Sequence, residues 1–79
     1  MYDERDAVLG RPIEHLDVST YTLNRLRWAR ILTFGDLVKH DARSLLMIDR
    51  FGPDSLQQVQ GALAEWGLEL PRIPYEHLR

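Results

Sequence analysis

Four side chains that can recognise a partner recur along one segment of the chain: Tyr21, Asn24, Arg25 and Trp28. Spacings of three, four and seven residues place them on one outward face of a helix. Tyrosine, tryptophan and arginine are enriched in binding hot spots, which makes this stripe a candidate partner-binding patch. The same pattern is equally typical of a solvated face with one ring resting on a neighbouring helix. The chemistry available to these groups is recognition.

A second candidate surface begins at Gly52, in a turn between two apolar segments. The first N–H groups of the following helix are open to an anion, as in helix-hairpin-helix units that hold a phosphate backbone. Asp54, Ser55 and Gln58 lie in the first turns of that helix. Gly52 also has a structural explanation, because glycine tolerates sharply bent backbone. Asn24 has a local alternative too, a hydrogen bond to Ser55 or to the turn backbone.

The sequence contains no recognisable catalytic or metal-binding group. The three histidines, His15, His40 and His77, are far apart, and the protein has no cysteine. No Ser/His/Asp grouping, glycine-rich phosphate loop or carboxylate pair is present. We therefore expect a non-enzymatic protein with no metal, no cofactor and no small-molecule substrate.

Length and composition predict one small domain. The 79 residues carry a formal net charge of −2, with 44% hydrophobic and 28% charged residues, which is ordinary for a globular protein. A domain that relied on phosphate contacts alone would be basic, so this charge counts against strong autonomous binding to nucleic acid. No apolar run approaches the ~20 residues of a membrane span, and the lack of cysteine fits a reducing cytoplasm.

Capping residues and apolar spacing predict a compact all-α bundle of about five short helices. Pro12 begins a single turn, Ser19 caps a helix from Thr20 to about Arg30, and Thr33 forms a capping box with Asp36.

The same pattern extends through the second half of the sequence. Asp41 caps a short helix, a longer helix runs from Pro53 to Trp66, and Gly67 ends it. The predicted organisation has a flexible leader, a helical domain and a C-terminal tail, at residues 1–10, 11–70 and 71–79.

Five segments occur together in one order and spacing: Arg11–Leu16, Leu23–Arg27, Phe34–Val38, Phe51–Leu56 and Gly67–Leu70. This ordered set resembles the C-terminal domain of the bacterial RNA polymerase alpha subunit, without a gap from about residue 11 to residue 70. The resemblance implies a five-helix bundle with helix-hairpin-helix elements. It also implies binding to the minor groove of A·T-rich upstream promoter DNA and docking of transcription activators and the sigma subunit.

The resemblance assigns DNA-contacting positions to this protein. The family's key arginine, which enters the minor groove, falls on Tyr21, and the asparagine three residues later is retained as Asn24. The next position, usually a small residue, is Arg25. The glycine at the start of the second helix and the serine in its first turn are retained as Gly52 and Ser55.

Other positions depart from the family pattern. Between that glycine and serine the family has two basic residues, where this protein has Pro53 and Asp54, and the family's glutamate one turn later is Gln58. Tyr21 has no charge for the negative potential of a narrow A·T groove. Pro53 removes an N–H donor and Asp54 repels phosphate. Losing two cationic contacts removes about two units from the salt slope of binding. Arg25 is the one compensating cation.

Two functions follow from this comparison. The first is a transcription-related module in the bacterial cytoplasm, associated with the nucleoid, that contacts promoter DNA weakly and docks a regulator, the sigma subunit or RNA polymerase. The second is a protein-interaction adaptor that kept the fold and lost the DNA contact. The substitutions and the acidic net charge favour the adaptor.

Overall fold

A computed structural model describes residues 4–71 of the protein, with side chains from Ala7 onward. This part contains five α-helices and one 3-10 turn, Ile13–His15. The helices are α1 (Glu4–Leu9), α2 (Thr20–Trp28), α3 (Phe34–Leu37), α4 (Ala42–Leu46) and α5 (Pro53–Glu65). Extended pairing within residues 4–71 is limited to one isolated antiparallel bridge between Pro12 and Thr33. The predicted all-α bundle is confirmed.

The predicted helix starts are confirmed by their hydrogen bonds. Ser19 Oγ accepts a bond from the Thr22 N–H at the start of α2. At α3, Thr33 Oγ1 accepts from the Asp36 N–H at 3.0 Å, and the Asp36 carboxylate accepts from the Thr33 N–H at 3.2 Å. The carboxylate also accepts from the Leu32 N–H at 3.1 Å. This last bond is the main reason why the pKa of Asp36 lies below its usual value.

Helices α2 and α5 each end shortly before a residue in the left-handed conformation. Helix α2 stops at Trp28, two residues before the predicted limit, and Arg30 adopts a left-handed conformation with φ 68°. Gly67 takes the same region, with φ 73°, after α5. The Leu68 N–H then returns to the Leu63 carbonyl at 2.9 Å, which forms a Schellman cap.

The N-terminal residues differ from the predicted flexible leader, because Glu4–Leu9 forms α1. Val8 and Leu9 pack against the core. A Cβ at Gly35 would lie 3.0 Å from the Leu9 carbonyl oxygen, so glycine permits the close approach of α1 and α3. In the sequence, only Val8 and Leu9 at the end of this charged segment indicate a buried helix face, which is too few apolar residues to predict a helix. Apart from Pro71, the predicted tail lies outside the described residues.

The core draws on every element from the 3-10 turn to α5. Its completely buried apolar side chains are Ile13, Leu26, Phe34, Leu37, Leu45, Val59 and Leu63. The half-buried Trp66 ring packs edge-on against Phe34 at 5.2 Å. None of the helices in residues 4–71 has the length and apolar character needed to cross a membrane.

Candidate nucleic-acid and partner interface

A series of linked hydroxyl groups fixes α2 against α5. The Ser19 hydroxyl donates to Thr22 Oγ1 at 3.1 Å, and the Thr22 hydroxyl donates to Ser55 Oγ at 2.9 Å. Gln58 Oε1 accepts from the Ser19 backbone N–H at 2.8 Å. Thr22 is completely buried and Ser55 is 5% exposed. We call Ser19, Thr22 and Ser55 the hydroxyl relay. It sets the position of α2 relative to the turn before α5.

The outer side of α2 reaches that turn through two hydrogen bonds. The Tyr21 hydroxyl donates to the Arg50 carbonyl at 2.7 Å. Arg25 Nη1 donates to the neighbouring Asp49 carbonyl at 3.4 Å. The stripe on α2 and the turn, predicted separately from the sequence, therefore form one surface. We call it the α2–turn face and define it by Tyr21, Arg25, Trp28, Asp49 and Arg50.

An exposed aromatic ring and a guanidinium are paired on the α2–turn face. The Arg25 guanidinium carbon lies 5.5 Å from the centroid of the Trp28 ring, a cation–π contact that contributes about 0.5–1 kcal/mol at an exposed site. Trp28 is nevertheless 64% exposed, and Tyr21 is 54% exposed. Exposed tyrosine and tryptophan side chains beside an arginine are the residue types that are enriched in recognition surfaces.

The sharp bend of the turn lies at Arg50 and not at Gly52. Arg50 is left-handed, with φ 63°, whereas Gly52 is extended, with φ −106° and ψ −172°. A Cβ at Gly52 would meet nothing within 4 Å. The interpretation that bent backbone requires glycine at this position is therefore wrong. Glycine instead leaves the first turn of α5 uncovered, with Pro53 and the exposed Asp54 next to it.

The remaining predicted site residues divide between the surface and the framework beneath it. Asn24 is exposed on α2, and its side chain makes no hydrogen bond within residues 4–71, so the predicted bond to Ser55 is absent there. Ser55 belongs to the hydroxyl relay, and Gln58 accepts a hydrogen bond from the relay residue Ser19, so both residues support the face from below. Sequence reasoning missed Thr22, although the Ser19–Thr22 spacing of one helical turn was a usable signal. It also missed Arg50, because a left-handed arginine has no sequence signature.

Other kinds of site receive little support in the described part of the protein. No group of three or more acidic or histidine side chains among residues 4–71 is placed to hold a metal ion. A shallow depression of ≈ 340 Å³ lies near the C-terminal end of α5, the opposite end from Gly52. It is lined by Gln60, Ala64, Leu68, Glu69 and Leu70. The chemically distinctive surface is the α2–turn face.

In the described residues, α4, the turn and α5 form a helix-hairpin-helix unit, and an arginine-bearing face lies beside the turn. Residues 2–65 match the model of one family, the C-terminal domain of the alpha subunit of bacterial RNA polymerase. The protein belongs to this family, which confirms the resemblance drawn from the sequence.

Alpha subunits from several bacteria are similar to this protein. It is 41% identical over 70 residues to the "DNA-directed RNA polymerase subunit alpha" of Pseudothermotoga lettingae, a match that covers 87% of this protein and 21% of the relative. The same subunit of Thermotoga maritima is 43% identical over 68 residues, with 85% and 20% covered. That of Salinibacter ruber is 37% identical over 71 residues, with 90% and 22% covered. The 79 residues thus span about a fifth of the length of these curated relatives.

Proposed function

We propose that this domain is a non-catalytic module of bacterial transcription that contacts A·T-rich promoter DNA weakly through the α2–turn face. Family membership supports the biological setting at the nucleoid. The observation that carries the DNA contact is the position of Arg25. Its guanidinium is held between the Asp49 carbonyl and the Trp28 ring, one helical turn from Tyr21, the position at which the family places its groove-entering arginine.

The charges around the face argue for weak binding. Arg25 and Arg50 supply positive charge, while Asp49 and Asp54 place carboxylates on the turn and at the start of α5. Pro53 removes one of the N–H groups that could bind a phosphate there. A face with this near balance binds DNA through few ionic contacts, so its affinity is low and falls further with salt.

A docking function for proteins has its own support. Trp28 and Tyr21 expose more than half of their surfaces, and Met47, just before the turn, is 85% exposed. Aromatic residues, methionine and arginine are the types enriched at protein interfaces. We propose transcription regulators, the sigma subunit or RNA polymerase as the class of partner. If the face has lost DNA altogether, this adaptor function remains.

The test is an NMR titration of the 79-residue protein with a short A·T-rich duplex, at low salt and again at higher salt. We expect salt-sensitive shifts of the backbone amides of Asn24, Arg25 and Gly52. Arg25→Ala should weaken binding and lower the salt slope by about 0.9 units. The matched control is Arg27→Ala on the same helix, since Arg27 pairs with Glu14 at 3.4 Å and makes no contact with the turn in the described residues.

Each result separates the two functions. Unchanged affinity in Arg25→Ala would contradict the role of Arg25. The absence of any shift with the wild-type protein would contradict DNA binding and leave the adaptor function. The adaptor function predicts that Trp28→Ala reduces retention of RNA polymerase holoenzyme by the immobilised domain, and retention of no polymerase by the wild-type domain would count against that partner.

A further inference from the structure

The turn between α4 and α5 holds an arginine in a conformation that arginine rarely adopts. A left-handed conformation is sterically unfavourable for a non-glycine residue, and Arg50 has φ 63°. Three contacts keep it there. Its carbonyl accepts the Tyr21 hydroxyl at 2.7 Å, the next N–H, of Phe51, returns to the Ile48 carbonyl at 3.0 Å, and Phe51 itself is buried in the core. The conformation is therefore held through the Arg50 carbonyl and the residue that follows it.

This conformation leaves the Arg50 side chain free to meet a ligand. The side chain is 75% exposed, and its closest ionic partner in the described residues, the Asp49 carboxylate, is 4.0 Å away. Arg25 differs, because its guanidinium already contacts the Asp49 carbonyl and the Trp28 ring. Entering a groove would require Arg25 to give up both contacts, whereas Arg50 gives up one weak, exposed ion pair.

Tyr21 connects α2 to the backbone of Arg50. It has no charge of its own, and its hydroxyl donates to the backbone of the residue whose side chain is cationic. Tyr21 therefore affects a ligand indirectly, by holding the backbone of Arg50. An arginine presented from a fixed backbone is the group that the negative potential of a narrow A·T minor groove favours.

We propose that Arg50 supplies the cation that enters the minor groove, that Tyr21 is the positioning residue that holds Arg50 in place, and that Arg25 contributes a sequence-independent phosphate contact. This inference rests on the proposed DNA-binding function. It assigns affinity and sequence preference to different residues. Arg25 determines how strongly any duplex binds, and Arg50 determines the preference for A·T-rich over G·C-rich DNA.

The test measures the affinity of the 79-residue protein for an A·T-rich and a G·C-rich duplex by fluorescence anisotropy over a range of salt concentrations. The variant is Arg50→Asn, because asparagine tolerates the left-handed region and keeps the turn. The matched control is Arg30→Asn, which removes another arginine, with φ 68°, from outside the face. We expect Arg50→Asn to lower the salt slope by about 0.9 units and to bring the two affinities together. Arg30→Asn should preserve the A·T preference, and Arg25→Ala should weaken both duplexes by the same factor.

The role of Tyr21 is tested by a double-mutant cycle. Tyr21→Phe removes only the hydroxyl, so it should weaken A·T binding while the salt slope stays that of the wild type. In the Arg50→Asn background the same change should have no further effect, because a positioning residue has nothing left to position. A purely structural role would give the same loss in both backgrounds.

Three results would overturn the inference. They are an A·T preference that survives Arg50→Asn, an equal loss of preference in Arg30→Asn, and additive effects of Tyr21→Phe and Arg50→Asn. If the wild-type protein binds neither duplex at low salt, the proposed DNA function itself fails, and that result is distinct from all three.

Discussion

Both sides of α2 make a hydrogen bond through a side-chain hydroxyl, but the inner side is buried and the outer side is exposed. On the inner side Thr22 and Leu26 are completely buried, and the Thr22 hydroxyl bonds to a side chain of α5. On the outer side Tyr21 and Trp28 are mostly exposed, and Tyr21 bonds to a backbone carbonyl of the turn. A buried bond must be satisfied within the protein, whereas an exposed one competes with water. The fold therefore dictates the inner residues, whereas it constrains the outer residues less.

The largest expected contrast is between Leu26→Ala and Trp28→Ala. Leu26 is completely buried, so its truncation should lower the free energy of unfolding by about 2–5 kcal/mol. Trp28→Ala removes a larger but exposed side chain and should cost about 1 kcal/mol or less, mostly its contact with Arg25. Urea denaturation followed by circular dichroism measures both. Equal losses would show that the two sides of the helix are not energetically distinct.

The hydroxyl relay should give the next largest effect. Thr22→Val keeps the shape of the side chain but leaves the buried Ser55 hydroxyl without its donor, which should cost about 1–3 kcal/mol. Thr20→Val, an exposed change two residues earlier, is the control and should stay within about 0.5 kcal/mol. A Thr22→Val protein as stable as the wild type would mean that the buried bonds do not hold α2 in place.

A substitution at Gly52, at the edge of the α2–turn face, should change stability and DNA affinity in opposite directions. Gly52→Ser has room for its side chain and can cap α5, so it should raise the free energy of unfolding by about 0.3 kcal/mol. The same side chain shields the N–H groups of α5 and should weaken DNA binding. Gly61→Ala, equally open on α5, is the control that should leave binding unchanged. Undiminished DNA affinity in Gly52→Ser would remove the start of α5 from the interface.

The smallest effect is confined to acid pH and concerns Asp36, away from both sides of α2. Its folded-state pKa is lowered, chiefly by the Leu32 N–H, so its contribution to stability is complete at pH values above the unfolded-state pKa. That contribution is lost as the pH falls through the folded-state value. The stability difference between wild type and Asp36→Asn, measured by urea denaturation, should be constant near neutral pH and shrink in acid. A difference that stays constant throughout the acid range would contradict this.

Local chemistry made much of the fold predictable. The caps at Ser19, Thr33 and Asp41 act on N–H groups three residues away, so their residue types alone place the helix starts. The failures share a different cause. Helix α1 depends on docking against α3, and the bend at Arg50 depends on contacts that no single residue type indicates.

For the α2–turn face, the sequence by itself determined which side chains point outward from α2 and that an uncovered helix start follows Gly52. Only the tertiary structure decided that these features form one surface, that Ser55 lies beneath it, and that Tyr21 holds the backbone of Arg50. The physical reason is separation along the sequence. The bond from Tyr21 to Arg50 joins residues 29 apart and that from Thr22 to Ser55 joins residues 33 apart, so both exist only once the helices have packed.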